Sequence, residues 1–308
     1  VSKYKEIDLG HLKTYSVLER YSKVNTEAFA KPGKVGISDF LDCLPDVLAA
    51  QDLKELIGHC KAAREKGKPL IIGLGGHVIK CGLAPLIIEL IKAGYVSCLV
   101  SNGSVMIHDY EIARFGSTSE DVSAALADGS FGMARETSQE LNHLSKEAYA
   151  RGEGLGEAVG RHLGANSANP HLSLLASAYC HGIPFCVQVA IGTDIIHQSN
   201  YAEGPALGYA SLKDFRIFCN QVAALNQGGV YLNFGSAVIL PEVFLKALTV
   251  ARNVCGEVKD FYTAVFDMNM HYRARVNVAQ RPVETGGKGF YFIGHHEIMI
   301  PLLVKSLL

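Results

Sequence analysis

Residues 69–103 read PLIIGLGGHVIKCGLAPLIIELIKAGYVSCLVSNG. Two short apolar runs, 69–75 and 95–101, flank an apolar-faced segment, 81–94, that ends on Gly94. The short runs have strand length and turn residues at their ends, and the middle run has the length and glycine stop of a helix. The strands do not alternate apolar with polar residues, so both of their faces are buried. That pattern belongs to a parallel sheet covered by helices on both sides. Working outward, further strands are predicted at 184–191, 229–235 and 260–266, and helices near 119–127, 137–150, 171–182, 208–226 and 240–255. The predicted fold is α/β, a three-layer Rossmann-like parallel sheet. Residues 1–48, broken by AKPGKVG, read as an N-terminal arm, and 49–308 as one α/β domain. The glycine-rich stretch 149–170 reads as a hinge or loop, and GSTSED, 116–121, as a capped helix start.

Composition narrows the function. The 308 residues are 48% hydrophobic and 19% charged, with a net charge of -1. So low a charged fraction predicts extensive burial, within a subunit or between subunits. No basic stripe suggests nucleic acid, no apolar run has spanning length, and no secretory leader pattern is present. None of the eight cysteines forms a C-x-x-C pair. They read as reduced, mostly buried thiols of a cytoplasmic protein.

In an open α/β sheet, ligands bind beyond the carboxyl ends of the strands. The predicted strands end in GLGGHVIK, SNGSVMIHD, GTDIIHQ, FGSAV and FDMN. All five ends carry small or polar residues that let backbone N–H groups approach a phosphate. In GLGGH, Gly73 and Gly75 match the first two positions of the dinucleotide fingerprint, but Val78 stands at the third. His77, His108 and His197 fall in three different strand-end loops, with Asp109 and Asp194 beside them. Imidazoles and carboxylates brought together suit general acid–base work or a metal. No paired-histidine motif is present, so no metal site is assigned. Asp194 and Asp267 read equally as helix caps or ligand contacts, and His295 and His296 as structural.

The order and spacing of GGHVIKCGLAPLIIELIKAGYVSCLVSNG, IPFCVQVAIGTDIIH, GGVYLNFGSAV, RARVNVAQRPV and MIPLLV resemble the deoxyhypusine synthase family from about residue 65 onward. The resemblance implies an NAD-binding Rossmann-like subunit in tetramers built from tight dimers, with active sites at the dimer interface. It implies cofactor contacts at Gly75, Gly76, His77, Lys80, Ser101, Asn102, Gly103, Thr263, Ala264 and Asp267, and an acidic loop at Asp194. Two departures stand out. HYRARV places Arg273 where the family has its imine-forming lysine, and FGSAVILPE lacks the family's histidine pair. A guanidinium stays protonated and cannot form that imine.

The expected function is therefore NAD-dependent hydride transfer on a small amine or alcohol, with or without group transfer. His108 or His77 would accept the proton. Asp109 and Asp194 would orient substrate or base, and Arg273 or Arg275 would hold an anionic group. Lys80 or Lys288 would be the substitute imine-forming amine. Three other readings remain: deoxyhypusine synthesis itself, a metal-assisted hydrolase or lyase, and a non-catalytic nucleotide binder.

Overall fold

The computed structural model describes residues 10–26, 41 and 44–308. Two short strands, β1 (Ser22–Asn25) and β4 (Ser117–Glu120), form an antiparallel pair. The main sheet is β2 (Leu70–Leu74), β3 (Cys98–Asn102), β5 (Phe185–Gln188), β6 (Val230–Phe234), β7 (Phe261–Asp267) and β8 (Gly287–Ile293). All its neighbours are parallel, in the order β5-β3-β2-β6-β7-β8. Numbered from the first of these six, the order is 3-2-1-4-5-6, that of dinucleotide-binding folds. The chain works outward from β2 to β5, then returns to the other side of β2 as β6. Ligand crevices form where the order reverses in this way, outside the carboxyl ends of the central strands.

The helices are α1 (Leu48–Glu65), α2 (Gly76–Lys80), α3 (Ala84–Lys92), α4 (Gly103–Phe115), α5 (Val122–Ala127), α6 (Arg135–Arg151), α7 (Leu155–Asn166) and α8 (Leu174–Cys180). They continue with α9 (Gly204–Ala223), α10 (Ile239–Cys255), α11 (Tyr272–Ala274) and α12 (His296–Leu307). Successive strand residues feed opposite faces. Leu70, Ile72 and Leu74 join Leu99, Val230 and Phe266 in a core with α1, α3, α4, α6, α7, α8 and α12. Ile71, Val100, Tyr231 and Val265 form a second core under α9 and α10. Both faces are covered, which explains why the strands read as unbroken apolar runs. No helix among the described residues is long and apolar enough to cross a membrane.

Two expectations are corrected. The stretch 149–170 is not a hinge, because α7 runs through it with Leu155, Ala158, Val159 and Leu163 buried. Its glycines allow close packing: a Cβ on Gly156 would lie 1.8 Å from the Phe185 carbonyl oxygen, and one on Gly160 2.6 Å from that of Leu175. The stretch 116–121 is mainly β4, and the helix begins only after Asp121, whose side chain caps Ser123 and Ala124. The partner that makes 117–120 a strand, β1, lies in the expected arm, some ninety residues earlier in the chain. Finally, α1 and β8 were not anticipated; β8 joins the sheet edge beside β7.

Candidate functional site

At the carboxyl edge of the sheet, β2 passes through Gly75 into α2, and β3 through Asn102 into α4. Asn102 caps α4, its Oδ1 accepting from the Val105 N–H at 3.4 Å and the Ser104 hydroxyl at 2.9 Å. Three glycines predicted to meet a cofactor stand at points of close approach. A Cβ on Gly75 would lie 2.2 Å from the Gly235 carbonyl oxygen, joining the loops after β2 and β6. One on Gly103 would lie 2.0 Å from Asp194 Oδ2. One on Gly76 would meet Ser104 Oγ at 2.7 Å and His108 Cδ2 at 3.5 Å. The loops after β2, β3, β5 and β6 thus converge, and only residues without side chains fit between them.

Beside this convergence lies a cavity of about 190 Å³, lined by Lys80, Ser104, His108, Glu111 and Asp194 among others. His108 sits in the second turn of α4, and its Nδ1 is 2.7 Å from Thr118 Oγ1. Thr118 donates to Glu111 Oε2 at 2.5 Å. Glu111 also accepts from Arg20 at 2.8 Å and from Thr137 at 2.9 Å. Arg20 reaches on toward Glu120 at 3.7 Å, and the Tyr15 hydroxyl bonds to the other oxygen of Glu120 at 2.5 Å. Burial first, then the positive fields of Lys80, Arg20 and His77, hold His108 down to about 3. The ring is neutral at every physiological pH. Sequence reasoning found His108 and missed Arg20, Glu111 and Thr118. One signal was available for Glu111, which follows His108 by three residues and so shares its helix face.

Asp194 follows β5. Burial pushes its carboxyl up to about 6, and its Oδ2 is buried without a hydrogen-bond partner. His197 Nδ1 accepts from the backbone N–H groups of Gly192 and Asp194, both at 3.2 Å. Its proton therefore sits on Nε2, which faces Asp194 Oδ2 across 4.0 Å and is also without a partner. A similar pair lies past β7 and β8. Asp267 Oδ2 and His296 Nδ1 are buried and unpartnered, and His271 Nε2 is 3.5 Å from Asp267 Oδ1. His296 packs on Gly235, where a Cβ would come within 2.6 Å of its Nε2. His77, exposed in the first turn of α2, lies within electrostatic reach of both His108 and His296.

Other predicted residues are elsewhere. Asp109 is fully buried and faces away from the cavity, capping α8 by accepting from the Ser173 hydroxyl at 2.5 Å and the N–H groups of Leu174 and Leu175 at 2.8 and 3.1 Å. A role in orienting substrate is therefore corrected to a structural one. Thr263 and Ala264 are in the interior of β7, not in its terminal loop, and Thr263 Oγ1 donates to the Val278 carbonyl at 2.7 Å. Both are corrected from cofactor contacts to core positions; of that group only Asp267 reaches the edge. Ser101 is buried within β3, its hydroxyl donating to the Asn102 carbonyl at 3.1 Å. Arg273 and Arg275 are exposed, with Arg273 Nε 3.3 Å from Glu242 on α10. Lys288 pairs with Asp52 and Glu55 of α1 at 2.9 and 2.7 Å, at the opposite end of the sheet. It cannot serve as an imine-forming amine in this site. Lys80 does line the cavity. Among the described residues no group of three or more His, Cys, Asp or Glu is arranged to hold a metal ion.

No family model matches the chain, and no curated protein matches it. Solved structures do. ArgZ, an arginine dihydrolase from the ornithine-ammonia cycle in cyanobacteria, is 16% identical with a TM-score of 0.50, over 85% of this chain and 33% of ArgZ. AgrE, solved as a ternary complex with ornithine and NAD+, is 14% identical with a TM-score of 0.53, over 83% of this chain and 32% of AgrE. A candidate deoxyhypusine synthase from Entamoeba histolytica is 9% identical with a TM-score of 0.51, over 89% of this chain and 93% of the other. The chain spans about a third of the length of the first two. At these identities the likeness is one of fold, shared with proteins that include an NAD+ complex and a candidate deoxyhypusine synthase.

Proposed function

We propose that the chain is an NAD-dependent enzyme of deoxyhypusine synthase-like type that oxidises a small amine or alcohol by hydride transfer. One observation carries the reading. The 3-2-1-4-5-6 sheet brings Gly75, Gly76 and Gly103 together at its switch point, beside the unpartnered carboxylate of Asp194. These residues fit a dinucleotide. Glycine at 75, 76 and 103 lets the strand-end loops close on one another at the switch point, and Asp194 and Asp267 each offer a buried acceptor for a ribose hydroxyl or a substrate ammonium. When bound, NAD supplies the hydride acceptor. The chain supplies the rest. Asp194, held near neutrality by burial, can take a proton from a substrate hydroxyl or ammonium at working pH. His108 offers a neutral imidazole on the cavity wall.

The cavity's size, about 190 Å³, suits a substrate of few heavy atoms. Exposed Met268, Met270 and Tyr272 follow β7, and exposed Ile293 and Ile298 end and follow β8; these apolar side chains support a homo-oligomer with interface sites, a tetramer in the reading that the family resemblance implies. A cytoplasmic location belongs to the same reading. Arg273 weighs against deoxyhypusine synthesis itself, since its guanidinium cannot form an imine.

The test is to incubate the protein with NAD and a panel of small amines and alcohols and to follow NADH absorbance. Substrate-dependent NADH is expected, falling about 100-fold or more in Asp194→Asn, the usual scale for losing a general base. No NADH with any member of a broad panel would overturn the reading.

A further inference from the structure

We infer that Glu111, through Thr118, fixes the tautomer of His108, placing its proton on Nδ1 and leaving Nε2 as a bare acceptor at the cavity. These are positioning residues, and Arg20 and Thr137 hold Glu111 in turn. The inference deepens the proposed function, on which it rests for the meaning of the cavity, but its geometry stands separately.

The assignment follows from counting protons. Thr118 has one hydroxyl proton and two neighbours, Glu111 Oε2 at 2.5 Å and His108 Nδ1 at 2.7 Å. The Glu111 carboxylate, beside the Arg20 guanidinium at 2.8 Å, has no proton to give. Thr118 must therefore donate to Glu111. Its oxygen then accepts from His108, so Nδ1 carries the hydrogen. The opposite arrangement, with Thr118 donating to Nδ1, would leave two acceptor oxygens facing each other at 2.5 Å in a site where Thr118 and Glu111 are almost wholly buried.

The other Glu111 oxygen accepts from Thr137 at 2.9 Å, so the carboxylate is fixed on both sides. The far edge of the His108 ring runs toward Gly76, where Cδ2 would stand 3.5 Å from an added Cβ, an ordinary contact distance. Nε2 adjoins Cδ2 in the ring and is thus carried to the strand-end loop where a substrate would lie. A second-residue orienter of a histidine's tautomer is a general device. Here a threonine stands between acid and imidazole. The acid is held by an arginine from the segment that precedes the sheet.

The experiment is a two-bond ¹H–¹⁵N correlation spectrum of the uniformly ¹⁵N-labelled full chain near neutral pH. His108 is assigned by the signal lost in His108→Gln. The expected wild-type pattern is a protonated-type Nδ1 and an unprotonated-type Nε2. Glu111→Leu, which removes the acceptor and frees the Thr118 hydroxyl to donate to Nδ1, should populate the Nε2-protonated pattern, and Thr118→Ser should restore the wild-type pattern that Thr118→Val loses. A wild-type His108 protonated on Nε2 overturns the inference by itself, with no variant needed. So does a folded Glu111→Leu or Thr118→Val that keeps the wild-type tautomer. NAD binding measured on the same samples separates the two claims. Binding with the wrong tautomer overturns only the relay, and the right tautomer without binding overturns only the proposed function.

Discussion

His108 and Asp109 are neighbours in sequence with unrelated duties. Successive residues on a helix point about 100° apart, so one side chain reaches the cavity while the other is turned into the cap of α8. The sequence showed two polar residues at a helix start but not the direction of either. The direction depends on where β4 and α8 lie, and neither is local. The burial of His108 has a measurable consequence. Folded, it takes a proton only near 3, whereas in the unfolded chain it does so near 6.5. Between those values the unfolded state binds the additional proton. The contribution of His108 to stability is therefore complete above 6.5 and is lost as pH falls through that window. Between pH 7 and 5 the loss is about 2 kcal/mol. Asp194, Asp109 and Asp214, raised by burial, act in the opposite direction, but they are common to wild type and variant. Urea midpoints at pH 7 and pH 5 should fall less in His108→Gln than in wild type. Equal falls would contradict a buried, neutral imidazole.

Among the strands, those read correctly were unbroken apolar runs. Apolar runs at 69–75, 95–101, 229–235 and 260–266 became strands because both faces are covered. The misread stretches take their form from a distant partner. Segment 117–120 is extended because β1 lies beside it, and α7 keeps its glycines because Phe185 and Leu175 press on them. Glycine thus has two meanings that sequence alone does not separate, and a pair of substitutions does. Gly58 lies exposed in the middle of α1, where an added Cβ would have nothing within 4 Å, so Gly58→Ala should stabilise the protein by about 0.5–1 kcal/mol. Gly75→Ala would drive a Cβ to 2.2 Å from the Gly235 carbonyl oxygen. It should destabilise by about 1–3 kcal/mol, the usual cost of overpacking. Chemical denaturation reads both, and equal signs would show that Gly75 is not a close-approach position.

The topology as a whole decides what the molecule can hold. Six parallel strands in the order 3-2-1-4-5-6 leave one reversal, and the glycine-lined loops, the cavity and the unpartnered carboxylates all gather on that edge. Most of this edge was readable, because the rule that places ligands beyond the strand ends requires only the strands. The support beneath His108 was not, since Tyr15, Arg20 and Glu120 come from outside the main sheet and reach α4 from beside the β1–β4 pair. Nor was the exclusion of Lys288, whose place at the start of β8 sends it to the opposite end of the sheet. Every chemical role assigned to this edge presupposes that a dinucleotide occupies it. Equilibrium titration of the purified full chain with NAD tests that directly. Saturable binding of about one NAD per chain is expected, at concentrations no higher than about 1 mM, the top of the usual enzyme range. Absence of saturable binding over that range would contradict the proposed function at its root.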